Sequence, residues 1–304
     1  MIGALDIGGT KITAGMVDED GCVLASMSCP TNPAAGIDDA VKRMVAMLRD
    51  TAKEAGGMVS GIGIGCTGPV NPKLGTIGNV EFLPGWEGVN LVQILSDRMG
   101  ISVVLENDAD AAALGEWVWG AGRGTQTFLL VTVSTGIGAG LILNGQIYRG
   151  VSSAHPEIGH HVIDPSGPLC ACGAHGCWES LSSGPALERW AQEQHPRLQP
   201  LSAREICELA ERGDPHALAA VQRAAHYFTI GLANMVTLYV PECIALSGGL
   251  MQSYSLFKEE IQTTIQTNCG FVPYEKVKVV PAALGTQSGL IGAACTWLRH
   301  NAFV

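Results

Sequence analysis

The chain has 304 residues, an apolar content of 47% and a formal net charge of −10. This length suffices for about two domains, and the apolar content excludes a chain that is disordered overall. Lys and Arg form no basic run, so a general nucleic-acid binder is not expected. An acidic chain can still bind a polyanion through backbone N–H groups and a metal ion.

No targeting or membrane segment is predicted. Residues 1–6 lack the basic and apolar run of a signal peptide. The uncharged stretch 127–143 is interrupted by Thr, Ser and glycines, which predicts two strands and a turn rather than a membrane helix. The 10 cysteines are then expected to be thiols or metal ligands. Together these features predict a soluble cytoplasmic protein without a membrane or nucleic-acid partner.

The apolar patterns predict alternating strands and helices, which is typical of the α/β class. Strands are predicted at 2–5, 12–17, 22–28, 61–65, 101–105, 128–133, 139–143, 242–246 and 276–280. Helices are predicted at 37–53, 91–99, 107–119, 202–240 and 287–299. Residues 150–180 are expected to be irregular, and a glycine cluster favours a domain boundary within 112–124.

A strand, a glycine-rich turn and a second strand occur twice, at 2–17 and at 128–143. In the first turn, Gly8 and Gly9 allow backbone N–H groups to approach an anion, and Thr10 adds a hydroxyl donor. Asp6, at the end of the first strand, can hold Mg²⁺ through water. The second turn, 134–140, repeats this logic, and two such loops suit the two ends of a polyphosphate. Each loop taken singly is also compatible with an ordinary glycine-rich turn.

A metal site is predicted from four soft ligands within 18 residues, namely His160, Cys170, Cys172 and Cys177. Three thiolates and one imidazole form a tetrahedral zinc set with no evident open position, which favours a structural role. The neighbouring histidines at 155, 161 and 175 are expected to be packed or solvated rather than ligands.

The segment Glu106-Asn107-Asp108 follows a predicted strand and opens a predicted helix. Either Asn107 or Asp108 can cap that helix, or Asp108 can act as a general base that takes a hydroxyl proton during phosphoryl transfer. Asp110 and Glu116 lie further into the helix and are expected to be structural.

For two further pairs of residues, position in the sequence alone does not decide between a binding role and a structural one. Glu157 and Glu179 flank the zinc segment and are either acceptors for sugar hydroxyls or surface charges. Gly248 and Gly249 end a strand, where bare backbone can lie against a flat base or simply form a turn.

In this order, the segments resemble the ROK family of bacterial sugar kinases and repressors, from Asp6 to about Leu290. The block from Glu157 to Glu179 fits the family's zinc motif in residue type and spacing. Leu105–Asp108 fits its catalytic segment, and Leu5–Lys11 and Ser134–Gly140 fit its phosphate loops.

The resemblance implies an actin-like ATPase fold, which is ribonuclease H-like, with two α/β domains around a cleft. The expected domains are a small one, 1–115 plus 288–304, and a large one, 116–287, that carries the zinc loop. It also implies ATP and Mg²⁺, a structural Zn²⁺, and a homodimer or dimer of dimers.

The resemblance also assigns roles. Asp108 would deprotonate the sugar hydroxyl, usually O6, and His160 would bind zinc with one ring nitrogen and sugar with the other. The implied sugar contacts are Gly68, Asn79, Asn107, Asp108, Glu157, His160 and Glu179. The implied nucleotide contacts are Asp6, Gly8, Gly9, Thr10, Lys11, Ser134, Thr135, Gly136 and Gly138 for phosphate and Mg²⁺, with Gly248 and Gly249 at the adenosine. Asn79 precedes Pro84 by five positions, a departure from glucose-phosphorylating relatives that leaves the sugar open.

The expected function is therefore an ATP-dependent hexose 6-kinase, a glucokinase. The alternative within the same class is an N-acetylmannosamine or N-acetylglucosamine kinase, and fructose, mannose and allose remain further options. The alternatives from other classes are a sugar-responsive repressor and a non-catalytic sugar-binding protein. Because Asp6 is the sixth residue of the sequence, the DNA-reading module that precedes this segment in repressors is not expected.

Overall fold

The computed structural model describes residues 1–301, which form two compact units. Unit 1 comprises Met1–Gln126, Gly140–Pro156 and the described residues from Ala283 onward. Unit 2 comprises Thr127–Ala139 and Glu157–Ala282. The expected domains, 1–115 with 288–304 and 116–287, differ from these units mainly in the segments 116–126 and 140–156, and as domains they stay a prediction.

Unit 1 contains a five-stranded sheet in the order β3-β2-β1-β4-β7. Its elements, numbered along the chain, are β1 (Ile2–Ile7), β2 (Lys11–Val17), β3 (Val23–Pro30), α1 (Ile37–Ala55), β4 (Ile62–Cys66), β5 (Val70–Asn71), β6 (Thr76–Ile77), α2 (Leu91–Met99), β7 (Val103–Asn107), α3 (Asp108–Trp119), the later part of β9 (Ile137–Leu143), β10 (Gln146–Ile147) and α9 (Ser288–Asn301). β1, β2 and β3 form an antiparallel meander, whereas β1, β4 and β7 run parallel. The short strands β5 and β6 pair as a separate hairpin.

The two faces of β1 are covered by different helices because side chains alternate along a strand. Leu5 and Ile7 belong to the core formed with α1 and α2, whereas Ala4 packs in a cluster with Leu290 and Ala293 of α9. Asp6 continues the Ala4 face at the end of the strand, and the α9 backbone approaches it so closely that a Cβ on Gly289 would lie 2.5 Å from Asp6 Oδ2.

Glu116 of α3 secures the start of α9. Its fully buried carboxylate accepts hydrogen bonds from the backbone N–H groups of Ala121 at 2.9 Å, Ala283 at 3.0 Å and Leu284 at 2.7 Å. Such charge-assisted bonds to backbone donors stabilise a chain segment strongly. The structural role expected for Glu116 is therefore observed.

Unit 2 is built on parallel strands with helices between them. Its elements are β8 (Phe128–Val133), the first residues of β9, α4 (Trp178–Ser182), α5 (Gly184–Gln194), α6 (Ala203–Glu211), α7 (Pro215–Tyr239), β11 (Cys243–Ser247), α8 (Lys258–Asn268) and β12 (Lys278–Pro281). β11 lies between β8 and β12 and runs parallel to both. Ser202 and Glu205 form a reciprocal capping box at α6, and Asp214 caps α7 just before Pro215.

The α/β class and the strand–helix alternation are confirmed, with element bounds within about three residues of those predicted. The helical tract 202–240 is two helices, since Gly213 breaks it with a φ of 85°. Helices α5 and α8 were not predicted, because their apolar stripes are short. No helix within residues 1–301 is long and apolar enough to span a bilayer.

Candidate functional site

Asn107 and Asp108 divide the two roles that the sequence left open. Asn107 Oδ1 accepts the backbone N–H groups of Ala109 at 2.9 Å and Asp110 at 3.2 Å, so Asn107 is the N-cap of α3. Asp108 Oδ1 also accepts the N–H of Ala109, at 2.8 Å. Within residues 1–301, Asp108 Oδ2 accepts no hydrogen bond, which leaves one carboxylate oxygen for a ligand. The backbone of Gly68 lies beside the cap, where a Cβ would come 2.8 Å from Asn107 Nδ2.

The electrostatics around Asp108 suit a proton acceptor. Burial raises the pKa of Asp108 from its ordinary value. Burial, together with the nearby Asp108 charge, raises the pKa of Asp6 to about 6, against a smaller lowering by Lys11. Burial likewise raises the pKa of the Cys66 thiol. Asp6 lies near the end of β1 and Asp108 directly follows β7, with β4 between these two parallel strands. Two carboxylates that repel one another in this way form an oxygen donor set that a hard cation such as Mg²⁺ would stabilise.

The first glycine loop offers adjacent backbone donors. Gly8 donates to the carbonyl of Lys11 at 2.9 Å and thereby closes the turn. In the described part of the chain, the N–H groups of Gly9 and Thr10 donate to no acceptor. Phe82 covers one side of this loop, because a Cβ on Gly9 would lie 2.5 Å from Phe82 Cβ. Unpaired neighbouring N–H groups of this kind form an anion-binding concavity.

The second glycine loop, in unit 2, has the same construction. Ser134 donates to the carbonyl of Gly136 at 2.9 Å, and no described acceptor receives the N–H groups of Thr135 and Gly136. The first strand residue after the loop, Ile137, donates its N–H to Glu179 Oε2 at 2.9 Å. A Cβ on Gly136 would collide with that same carboxylate oxygen. Glu179 is therefore tied to the loop rather than left as a surface charge.

The four predicted zinc ligands converge. The ligand atoms of His160, Cys170, Cys172 and Cys177 all lie within 4.8 Å of one another. His160 Nδ1 is 3.4 Å from Cys170 Sγ, and the Sγ atoms of Cys172 and Cys177 are 3.5 Å apart. These separations match those between ligands of a tetrahedral zinc ion. Since Nδ1 faces the thiols, Nε2 of His160 lies on the opposite side of the ring.

The donor set fits a divalent cation. Burial and the neighbouring thiols raise the pKa of Cys177 to about 12, so the Cys177 thiolate requires a compensating cation. Gly176, with a φ of 70°, passes so close to the carbonyl of Asp164 that no side chain fits there. His161 Nδ1 lies 2.5 Å from the carbonyl oxygen of Ile158, and His175 Nδ1 lies 3.2 Å from the carbonyl oxygen of Gly167. His161 is partly buried and His175 is exposed, and neither belongs to the cluster of ligand atoms, in line with the expectation of packed or solvated histidines.

Three consecutive residues connect the metal set to the unit 2 core and to the second glycine loop. Cys177 belongs to the metal set, and Glu179 bonds to Ile137. Between them, Trp178 is fully buried and donates from Nε1 to the carbonyl of Phe228 at 3.1 Å. It also packs directly on Gly231 of α7.

The remaining predicted site residues are two exposed polar residues and two glycines. Asn79 and Glu157 are exposed, and neither side chain makes a hydrogen bond within the described residues. Gly248 has a φ of 95° and packs against the carbonyl of Val133, and Gly249 adjoins Ser134. The predicted site residues thus form two groups. Those in unit 1 are Asp6, Gly8, Gly9, Thr10, Lys11, Gly68, Asn79, Asn107 and Asp108; those in unit 2 are Ser134, Thr135, Gly136, Gly138, Glu157, His160, Glu179, Gly248 and Gly249.

A buried charged cluster beside Asp108 escaped sequence analysis. The Arg149 guanidinium pairs with Glu106 at 2.5 Å and with Asp110 at a short contact. His155 Nδ1 lies 2.7 Å from Asp110 Oδ2. Burial raises the pKa of Glu106 against the opposing effect of Arg149. The contacts of the fully buried Asp110 agree with the structural role expected for it, and His155, expected to be packed or solvated, is hydrogen-bonded to it.

A separate cavity of about 660 Å³ in unit 1 lies along β7 and α9. Its lining includes Val103–Glu106 and Arg299 but none of the predicted site residues. It is therefore distinct from the candidate site in this unit.

The chain belongs to the ROK family, whose model matches residues 2–300. It is 35% identical to a glucokinase of Streptomyces coelicolor, with 95% of each chain covered. A ROK hexokinase structure from Thermus thermophilus is 35% identical, with a TM-score of 0.85 and 99% of each chain covered. A ROK glucokinase structure from Streptomyces griseus in complex with glucose and AMPPNP is 32% identical, with a TM-score of 0.82 over 96% of this chain and 97% of that one. The actin-like fold expected from the sequence is confirmed.

Relatives with other functions also match. A structure of a putative N-acetylmannosamine kinase from Listeria monocytogenes is 26% identical, with a TM-score of 0.84 over 99% of each chain. The xylose repressor of Bacillus subtilis is 31% identical over 73% of this chain and 57% of the repressor. Family membership alone therefore does not select one sugar.

Proposed function

We propose that this protein is an ATP-dependent hexose kinase that phosphorylates the 6-hydroxyl of glucose. The sugar kinases among its relatives support a sugar kinase, and the 35% identity to a glucokinase favours glucose. The observation that carries the proposal is Asp108, a partly buried carboxylate at the start of α3 with one oxygen left for a ligand. A carboxylate in this setting is suited to accept the proton of an attacking hydroxyl.

In the proposed reaction, Asp108 accepts the O6 proton while O6 forms its bond to the γ-phosphorus of ATP, and the bond to ADP breaks. Asn107 Nδ2, next to Gly68, is the amide donor available to a sugar hydroxyl, because Asn107 Oδ1 is occupied by the helix cap. The N–H groups of Gly9, Thr10, Thr135 and Gly136 are donors for phosphate oxygens. When bound near Asp6, Mg²⁺ neutralises phosphate charge.

Zinc has a structural part in this proposal. The Cys3His set leaves no open position for activating water. Bound zinc would fix the loop that carries His160 and Glu179, and the Nε2 of His160 and the carboxylate of Glu157 would face sugar hydroxyls. We further propose a cytoplasmic homodimer or dimer of dimers.

The decisive experiment is release of ADP from Mg-ATP with glucose, mannose, fructose, allose, N-acetylglucosamine and N-acetylmannosamine, on zinc-loaded protein. Selective turnover of glucose is expected. Selective turnover of an acetamido sugar would instead favour the second candidate, an N-acetylmannosamine or N-acetylglucosamine kinase, which the Listeria relative supports. Absence of turnover with every sugar, together with retained sugar binding, would favour a repressor-like or purely sugar-binding role.

A further inference from the structure

The cavity of about 660 Å³ in unit 1 has the volume of a small-molecule site, since such sites measure about 300–1,000 Å³. It is bounded by several elements rather than lying on one of them. Residues of β7, α2, α3, α9, β10 and the turn between β5 and β6 line it. Its lining includes none of the residues assigned to the proposed kinase reaction. The cavity is therefore a candidate for a second, separate ligand site.

The edge of the unit 1 sheet forms one wall of this cavity. In the described sheet, β7 is the last strand and pairs with β4 alone, and its residues Val103–Glu106 line the cavity. An edge strand presents backbone N–H and C=O groups that have no partner strand. In the part of the chain that the structure describes, the N–H groups of these four residues donate to no acceptor outside the sheet. The wall therefore offers hydrogen-bonding groups to a bound molecule.

Apolar side chains from five elements also line the cavity. They include Leu74, Val92, Val103, Leu105, Leu114 and Ile147. A molecule with an apolar body would remove this lining from water on binding, which is the main favourable contribution in most ligand sites.

The permanent charges of the cavity are mainly positive. Lys73 and Arg299 line it, against a single acid, Glu106. Both oxygens of that carboxylate are engaged, because Oε1 accepts the N–H of Asn107 at 2.8 Å and Oε2 pairs with Arg149 at 2.5 Å. The cavity therefore carries a net positive charge in a chain whose formal net charge is −10. Such a lining selects an anion.

Arg299 is held in place by its neighbours. Its guanidinium lies over the ring of Trp117, 4.8 Å from the centroid, and donates to the carbonyl of Gly145 at 3.2 Å. A cation on an aromatic face keeps its charge. A guanidinium that is already ordered also loses little further conformational entropy when it binds an anion. Arg299 is thus a fixed positive group of the cavity, and Lys73 is a second, exposed one.

We propose that this cavity binds a small amphiphilic anion, whose apolar body contacts Leu105 and Leu114 and whose carboxylate, sulfonate or phosphate group is bound by Arg299 and Lys73. The volume, the apolar lining and the positive charge of the cavity support this ligand class together. An uncharged apolar molecule would leave both cations without an anion, and an inorganic anion would leave the apolar lining in contact with water. The inference goes beyond the proposed function and does not depend on it, because it concerns binding alone.

The test uses two fluorescent probes that share one ring system. Anilinonaphthalene sulfonate has an apolar body and one sulfonate, whereas phenylnaphthylamine has the same rings without the charge. On the folded, zinc-loaded protein, we expect the sulfonate to bind saturably at about one site per chain. We also expect it to bind at least about fivefold more tightly than the neutral probe. Equal affinities for the two probes would overturn the inference of an anion site.

Substitutions in the lining locate the bound probe. Arg299→Met removes the charge and keeps an apolar stem, so the sulfonate should bind at least about fivefold more weakly while the affinity of the neutral probe changes less than about twofold. Val104→Phe adds a ring to a partly buried residue of the lining and should weaken both probes at least about fivefold. The matched control is Arg204→Met, on an exposed arginine of α6 in unit 2.

Unchanged sulfonate affinity in either lining variant would place the probe elsewhere and refute the site, as would an equal loss in Arg204→Met. Thermal melting checks that each variant is folded. If Arg299→Met does not fold, because it loses its contact with Trp117, Lys73→Met provides the same measurement on an exposed residue. None of these measurements involves sugar or ATP, so failure of this site and failure of the proposed kinase are separate outcomes.

Discussion

Glu179 accepts the backbone N–H of Ile137 at 2.9 Å, and this bond joins a residue next to the metal set to the second glycine loop. Cys177, two residues earlier, is one of the four metal-ligating side chains. Through this oxygen, the segment that contains the metal ligand Cys177 is hydrogen-bonded to the second glycine loop of unit 2. In the proposed function it is the contact through which sugar and phosphate positions would influence one another.

Gly136→Ala tests this relationship. A Cβ at this position would collide with Glu179 Oε2, so the carboxylate or the loop must shift. Since both lie at proposed substrate contacts, we expect kcat/KM for the sugar and for ATP to fall at least about tenfold. The control is Gly270→Ala, where a Cβ meets nothing within 4 Å. Steady-state kinetics measure kcat/KM for both variants. A wild-type kcat/KM in Gly136→Ala would show that the contact between Glu179 and the loop does not affect substrate positioning.

Removal of zinc is expected to destabilise the protein. We predict about one zinc per chain by metal analysis, and its loss in Cys170→Ser, because three ligands cannot close a structural tetrahedral site. The melting temperature should fall by at least about 5 °C. Cys22→Ser is the control, since Cys22 is exposed and outside the cluster. Unchanged zinc content and melting in Cys170→Ser would exclude the proposed ligand set.

Asp108→Asn should separate chemistry from binding. An amide keeps the Oδ1 acceptor for Ala109 but cannot take the hydroxyl proton. We expect kcat to fall by at least about a hundredfold while the sugar dissociation constant changes little. Coupled ADP release and calorimetric titration of the sugar measure the two quantities. Near-normal turnover would assign the base elsewhere.

Asp6 should make stability depend on pH. Its pKa is raised in the folded protein from 3.8 to about 6, so its protonated form is favoured by folding. This contribution is fully present below about pH 4 and is lost as the pH rises through 6. By the size of the shift it amounts to at most roughly 3 kcal/mol.

In the absence of Mg²⁺, Asp6→Asn should therefore raise the unfolding free energy relative to the wild type at pH 8, and much less at pH 4.5. Denaturant unfolding at the two pH values measures this difference. Asp50→Asn, an exposed carboxylate of α1, serves as the control. A gain from Asp6→Asn that is equal at both pH values would show that the effect is not electrostatic.

Local patterns made much of the structure predictable. The zinc set was found because its ligands lie within a short segment, and the glycine loops because each sits between two apolar strands. The Asp110–Arg149–His155 cluster was not found, since its members are 39 and 45 residues apart and no short-range spacing marks them. Asn107 rather than Asp108 proved to be the cap, a choice that propensity alone cannot make because both residue types are good N-caps.

The attachment of α9 has a consequence for how the protein is made. Its residues Leu290 and Ala293 complete the apolar cluster on β1, and Glu116 holds the segment just before it. During synthesis, strands β1 to β7 therefore leave the ribosome well before α9, the helix that packs on β1. Unit 2 is fully synthesised by residue 282, before α9 has emerged, so the unit that begins the chain is the last one able to finish folding.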